Sequence, residues 1–393
     1  MLSNRLPRYA IAAAFVITSV LNVPASAADE PVKIGLVAAL SGNSALSGEA
    51  ITRGMSIAID EINARGGVIG GRKLLLVRRD DESNPSKGQL AARELIEKEN
   101  VAVVFGGIDT PVSAALVGVM QELKRPYMGV WAAGTGITHN GKTPNYMFRV
   151  SAVDERVDLA MLNYAKTSFA TKKPGAILVN NPWGESNQKG LEKASAEIAL
   201  PLAGVEKYGA NDVDITPQLT RLKDAGADSL ILVGNAAPAA QVMKSLERMG
   251  WNVPVVSHWG ISGGRFNELA GPRYKDVRFM QTYSFFGKQN PVGVKVLAEL
   301  KKRFPDIKGP EDILAPVGVA NAYDAMMLTA LALTTAASTD GDKLREAFYK
   351  VPDYAGLIKT YKQPFKLGDN DALEAADYIW VRFDGKNAMP VAQ

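Results

Sequence analysis

Short apolar, β-rich runs alternate with helical patterns along almost the whole chain, in two successive series. This alternation demands parallel strands, because a parallel pair is joined by a crossover of a dozen or more residues and a helix is the usual way to cover that distance. In the first series 32–39 reads as a strand and 41–48 as a loop. Ile51, Met55, Ala58 and Ile62 then fall at i, i+4, i+7 and i+11 of a helix stopped by Asn63 to Gly67. Strands at 73–79, 101–105, 127–130 and 146–150 follow, with helices at 86–99 and 112–123. A second series starts near Asp154, with strands at 176–180, 204–208, 229–233 and 253–257 and helices at 186–198, 216–225 and 238–249. The expectation is an α/β protein of two doubly wound halves, followed by helical patterns at 291–304, 320–337 and 342–349 and a closing strand at 378–383.

Chain length agrees with two halves. Arg5 and Arg8 precede an apolar run at 10–21 and then Ala25-Ser26-Ala27, the layout of a secretory signal peptide (1–27) cleaved after Ala27. The 366 residues beyond Ala27 exceed what one hydrophobic core usually supports. Export implies a soluble periplasmic product. The sequence has no Cys, which removes a lipoprotein anchor and a disulfide framework from consideration. Loss of Arg5 and Arg8 lowers Lys+Arg from 45 to 43 against 41 Asp+Glu, a net charge of +2. So balanced a chain, without a basic stripe, is not expected to bind nucleic acid, and no later run is read as a membrane span.

Several apparent motifs carry little. Gly136-Ile137-Thr138-His139-Asn140-Gly141-Lys142-Thr143 fits a phosphate-binding loop letter for letter, but such a loop must open a helix at its Lys, and here Pro144 and a strand follow. With only His139 and His258, a two-His zinc site would need both, and no H-E-x-x-H or C-x-x-C pattern occurs. Asp80-Asp81-Glu82 reads as a strand-end surface cluster. No enzyme activity, metal or cofactor is expected. A sensory ligand-binding module is a third class, and it would normally be followed by a transmembrane span.

Ser41-Gly42, Gly48, Gly54, Ala58, the run Glu61-Ile62-Asn63-Ala64-Arg65-Gly66-Gly67-Val68, Gly70, Asp80, Pro85, Leu95-Ile96 and Gly106 together form a specific composite signal. Ala322-Tyr323-Asp324-Ala325 and the region around Phe365 extend it. In these residues the chain resembles the type I periplasmic binding proteins of ABC importers, specifically the leucine/isoleucine/valine-binding group. The resemblance implies two Rossmann-like lobes joined by three crossovers near Arg149-Val150, Gln281-Thr282 and 359–364, with a small-molecule ligand between them. Lobe 1 would comprise 28–149 plus 282–360, and lobe 2 would comprise 150–281 plus 361–393. A monomer that closes on its ligand by hinge motion and docks on a membrane permease is expected.

The fold class independently places a ligand outside the carboxyl ends of the strands. Thr110 reads as the N-cap of the helix that begins with Pro111, and free N–H groups there suit a carboxylate. In relatives the segments matching Asp109-Thr110 and Ala132-Ala133-Gly134 bind the ligand carboxylate, although capping alone would also account for Thr110. Trp183 corresponds to an aromatic residue that closes over the ligand. Ser47, Ala236, His258 and Trp259 complete the expected contacts. At 257–260, where amino-acid binders commonly place an acid for the ligand ammonium, this chain has none. Either Asp109 or Glu185 substitutes, or the ligand is a ring acid such as a benzoate that lacks the amino group.

Overall fold

The computed structural model describes Met1 and residues 30–391, so the signal-peptide reading lies outside the described residues. The β-rich runs of the first series pair as parallel neighbours. In chain order they and their helices are β1 (Val32–Ala38), α1 (Ala45–Ala64), β2 (Leu74–Asp80), α2 (Pro85–Glu97), β3 (Val103–Gly106), α3 (Thr110–Glu122), β4 (Tyr127–Gly129), α4 (Thr135–Thr138) and β5 (Met147–Arg149). The sheet order β2-β1-β3-β4-β5 puts β2 on one side of β1 and β3 on the other. Crossovers that leave β1 in opposite directions open a crevice at its carboxyl end, the place where ligands bind in such sheets.

The second series runs α5 (Asp154–Ser168), β6 (Pro174–Val179), α6 (Pro182–Glu197), β7 (Gly204–Tyr208), α7 (Thr216–Asp224), β8 (Ser229–Val233), α8 (Ala236–Arg248), β9 (Val255–Ser257), α9 (Phe266–Leu269) and β10 (Val277–Gln281). It is followed by α10 (Pro291–Arg303), α11 (Pro316–Ala336), α12 (Gly341–Phe348), the short pair β11 (Tyr354–Ala355) and β12 (Thr360–Tyr361), then β13 (Ile379–Asp384) and β14 (Asn387–Pro390). The second sheet has the order β14-β13-β10-β9-β8-β6-β7. Strand β6 has β7 on one side and β8 on the other, which creates a second crevice. The closing strand joins this sheet as expected, antiparallel to β10.

Two expectations need correction. One later run is in fact long and apolar enough to pass as a membrane span by composition: α11, of 21 residues. It is buried along nearly its whole length, with only its last turn exposed, and packs along α1. A Cβ added at Gly54 would sit 2.2 Å from the Val319 carbonyl oxygen, so glycine there lets the two helices approach. The third crossing also lies later than 359–364. Phe365 packs on Phe148 and Phe348, and Asp371 pairs with Arg149 at the end of β5, so 361–371 side with the first sheet. We therefore place that crossing between Asp371 and β13. At the second crossing, the Thr282 hydroxyl donates to Asn321 Oδ1 (2.8 Å), and Asn321 Nδ2 donates to the Val130 carbonyl (3.0 Å). This ties the crossing to the residue before Trp131.

Candidate functional site

The residues expected at the site lie at the carboxyl ends of the two sheets, and local chemistry sets their positions. Asp109, not Thr110, is the N-cap of α3, and its side chain makes no capping bond. The Thr110 hydroxyl instead accepts from the Gly134 N–H (3.2 Å). A Cβ at Gly134 would lie 2.4 Å from the Thr110 methyl, so the glycine is needed for that approach. From below, Arg149 Nη1 donates to the carbonyls of Ala132 (3.3 Å) and Gly134 (2.9 Å), while the Ala133 carbonyl accepts from the Asp154 N–H (2.8 Å). The 132–134 segment is therefore held rigidly, and its expected partner Thr110 is bonded to it.

In the second half, Asn181 caps α6 by accepting from the N–H groups of Trp183 (2.9 Å) and Gly184 (3.2 Å), with Pro182 in the first turn. This cap fixes Trp183 at the crevice, where its indole Nε1–H donates to Asp154 Oδ1 (3.1 Å). His258 Nδ1 accepts from the Trp259 N–H (2.9 Å), so the neutral ring carries its proton on Nε2, which faces Asp154 Oδ1 at 3.1 Å. Ring centroids continue the row: Trp183 to His258 is 5.0 Å, His258 to Trp259 is 5.9 Å and Trp259 to Trp131 is 6.1 Å. All four rings are buried. A Cβ at Gly260 would strike the Trp183 ring at 2.5 Å, and one at Gly263 would strike Ile108 at 2.6 Å, close to Trp131 and Ser47. Ala236 is also buried and lies against Gly264, where a Cβ would come within 2.9 Å of its own.

The expected residues thus separate into two groups. Trp183, His258 and Trp259, with Trp131, form the aromatic row, and Ser47 and Ala236 flank it. Thr110 and Gly134 line a cleft mouth of about 410 Å³ with Thr135, Pro182, Glu185 and Lys189. Polar contacts close the two halves on each other: Thr135 N–H to Ser186 Oγ (3.1 Å) and Asn235 Nδ2 to Asp109 Oδ1 (3.3 Å). Burial pushes the Asp109 carboxyl above its usual range.

Asp154 is the residue that sequence reasoning missed. Glu185 sits at the mouth and Asp109 is engaged with Asn235, so the carboxylate within the aromatic row comes from the first residue of α5. Its signal was an acid in the first turn of a helix directly after a crossing. Three buried atoms around the crevice lack partners of their own: Asp154 Oδ2 and Asp109 Oδ2, both acceptors, and Trp131 Nε1, a donor. Such buried, unpartnered atoms are what a bound polar group would satisfy.

The two histidines serve different acids, His258 facing Asp154 and His139 facing Asp371 at 3.0 Å. His139, Asp369 and Asp371 lie close enough to share an ion. Yet Asp371 already accepts from Arg149 Nε (2.6 Å) and Thr138 Oγ1 (2.9 Å). Burial would raise its carboxyl, but the Arg149 guanidinium and the His139 ring outweigh burial and hold it well below the usual range. The positive charge a metal would bring is already supplied. The phosphate-loop pattern at 136–143 spans the end of α4 and a turn, and Lys142 is exposed and opens no helix.

A family model described as periplasmic binding protein matches residues 31–386. Over 316 residues the chain is 25% identical to Leu/Ile/Val-binding protein homolog 3 of Brucella melitensis, covering 80% of this chain and 82% of that protein. Its fold matches the periplasmic binding protein type 1 from Bordetella pertussis Tohama I with a TM-score of 0.82 and 23% identity, over 92% of this chain and 100% of the other. A solute-binding protein of an ABC transporter from Rhodopseudomonas palustris, in complex with 4-hydroxybenzoate, matches with a TM-score of 0.77 and 20% identity, over 93% and 96% of the two chains.

Proposed function

Because the chain belongs to the periplasmic binding protein family, we propose that it is the substrate-binding component of an ABC importer, which takes a small carboxylated solute into the crevice between its sheets and delivers it to a membrane permease. It works in this reading as a periplasmic monomer without catalytic activity. The observation that carries the reading is the aromatic row around Asp154, with an unpartnered acceptor on Asp154 and an unpartnered donor on Trp131. A matching ligand has an apolar body, one donor and one acceptor.

A hydrophobic amino acid fits: its ammonium meets Asp154, which stands in for the acid missing at 257–260, and its carboxylate accepts from Trp131 Nε1. The Brucella melitensis relative carries a name of this ligand class. A hydroxylated aromatic acid is the second reading, favoured by four aromatic side chains in one row, because its ring stacks and its hydroxyl donates to Asp154.

A thermal-shift panel of leucine, valine, phenylalanine, benzoate, 4-hydroxybenzoate and phenylacetate tests both. A ligand at a hundredfold excess over Kd stabilises the native state by about 2.7 kcal/mol, a readable rise in Tm. Shifts with the amino acids alone overturn the aromatic-acid reading, and shifts with the ring acids alone overturn the amino-acid reading. If Asp154 reads a donor, 4-hydroxybenzoate outperforms benzoate. Equal shifts from those two remove Asp154 from ring-acid recognition.

A further inference from the structure

Beneath the aromatic row, between α5 and α6, lies a group of buried acceptors that ligand recognition does not use. Asp158 stands one turn after Asp154 on α5, is 0% exposed, and has no partner on either carboxylate oxygen. On α6, Asn187 is also 0% exposed; its Nδ2 donates to the Trp183 carbonyl (2.9 Å), leaving Oδ1 unpartnered. Gly190, one turn further along the same face of α6, packs directly on Asp158, where a Cβ would come within 2.0 Å of Oδ2. Asp158 and Asn187 are thus unpartnered buried acceptors on two helices that pack where Gly190 meets Asp158, and an unmatched buried acceptor is destabilising.

The charged groups that reach Asp158 are negative, Asp154 and Glu155 on its own helix. Among the positive groups nearby, Arg156 of α5 itself turns to Asp369 and the Leu373 carbonyl, Lys193 of α6 is paired with Glu155, and His258 after β9 faces Asp154. Two carboxyls one helical turn apart in a buried setting divide their roles by environment. Asp154 has the Trp183 and His258 donors, and Asp158 has none.

We propose that Asp158 is held as a neutral carboxylic acid that donates its proton to Asn187 Oδ1, clamping α5 to α6 and leaving Asp154 as the carboxyl group that meets the aromatic row. Asp158 is then a positioning residue: through Asn187 it fixes the first turn of α6, and so Trp183. Burial, reinforced by the charge of Asp154, raises the Asp158 carboxyl well above its ordinary 3.8. In the unfolded chain that group loses its proton near 3.8. Above this pH the folded protein holds one more proton than the unfolded chain, so this group lowers stability progressively until the raised folded value is reached.

The proposal rests on the reading that Asp154 lines the ligand site, but its main test needs no ligand. Asp158→Asn keeps the shape and removes the need for a proton. The variant's Tm, relative to the unaltered protein, is expected to rise by a few degrees at pH 8, with the gain vanishing towards pH 4. The infrared carbonyl stretch of protonated carboxyls at pH 7 should lose one component in Asp158→Asn, the remainder coming from Asp81 and Asp324, whose carboxyls burial raises to about 7. A Tm difference that does not vary with pH, or a protonated-carboxyl band unchanged by the substitution, overturns the proposal. So does a rise in Tm with added K⁺ or Ca²⁺ that requires Asp158, which would put a cation where the proton is assigned. With the thermal and infrared results as expected, Asp158→Asn should also retain affinity for the panel ligand. If affinity is retained but Asp154 substitutions leave it unchanged too, the ligand-site reading fails and the proton assignment stands.

Discussion

Asp154→Ala is expected to weaken binding of the panel ligand by about 100-fold, measured by titration calorimetry. The substitution removes the acceptor of two buried donors, Trp183 Nε1 and His258 Nε2. Each buried donor left unmade costs about 1–3 kcal/mol, and every 1.4 kcal/mol is about tenfold in Kd. In an open protein those donors meet water, so the cost falls on the closed, liganded state and is read as lost affinity. The same substitution at Glu185, on the cleft mouth, should change affinity little. Asp154→Asn separates the two ligand readings. It retains an acceptor but no charge, so it should strongly weaken a ligand with an ammonium and weaken a hydroxylated ring acid much less. An Asp154→Ala protein with unchanged affinity removes Asp154 from the site.

Arg149→Met should be the most damaging single change to stability away from the aromatic row. Arg149 and Asp371 are both fully buried as side chains and meet at 2.6 Å. Arg149 also donates through Nη2 to Thr138 Oγ1 (2.7 Å) and through Nη1 to the carbonyls of Ala132 and Gly134. Removing one partner of a buried pair typically costs about 3–5 kcal/mol, because the other is left as an uncompensated charge. A fall in Tm of about 5 °C at pH 7 is expected. The sign with pH follows from Asp371, whose carboxyl the folded protein holds low. The stability it contributes is present above its ordinary value of 3.8 and disappears as pH falls through the lowered folded value. The gap between Arg149→Met and the unaltered protein should therefore narrow in acid, where Asp371 in the variant takes up a proton. Adding Asp371→Asn to the variant should recover part of the loss at pH 7. An unchanged Tm in the single variant would show that the pair contributes no net stability.

The strand and helix pattern was legible wherever apolar residues kept a regular period. The strands read at 204–208 and 229–233 coincide with β7 and β8, and the helix read at 216–225 with α7 to within a residue. Helix α5 was not assigned, and the reason is informative. Its buried face carries Val157, Met161, Leu162 and Ala165, but also Asp154 and Asp158. Acids on the inner face break the amphipathic signal. A rule that apolar residues point inward fails where polar groups are buried for a purpose. The short pair β11 and β12 is too brief to show a period.

The candidate site was legible in part. Trp183, His258 and Trp259 were expected as ligand contacts on the family resemblance, and the structure brings the three rings into one row. Thr110 and the 132–134 segment were expected to hold a carboxylate; that the Thr110 hydroxyl and the Gly134 N–H engage each other is a contact across 24 residues that the sequence does not show. The acid for the aromatic row was sought at Asp109 and Glu185, and the structure supplies Asp154.

By itself the sequence determined the two α/β halves, the crevice at their strand ends and the family, because these follow from local periodicity, chain length and motif residues close together in the chain. Only the tertiary structure decided that α11 is a core helix, that 361–371 side with the first sheet, and that Asp154 meets Trp183 and His258 from 29 and 104 residues away. Those outcomes depend on which side chains meet after the halves pack, and long-range hydrogen bonds and buried charges leave no period in the sequence to read.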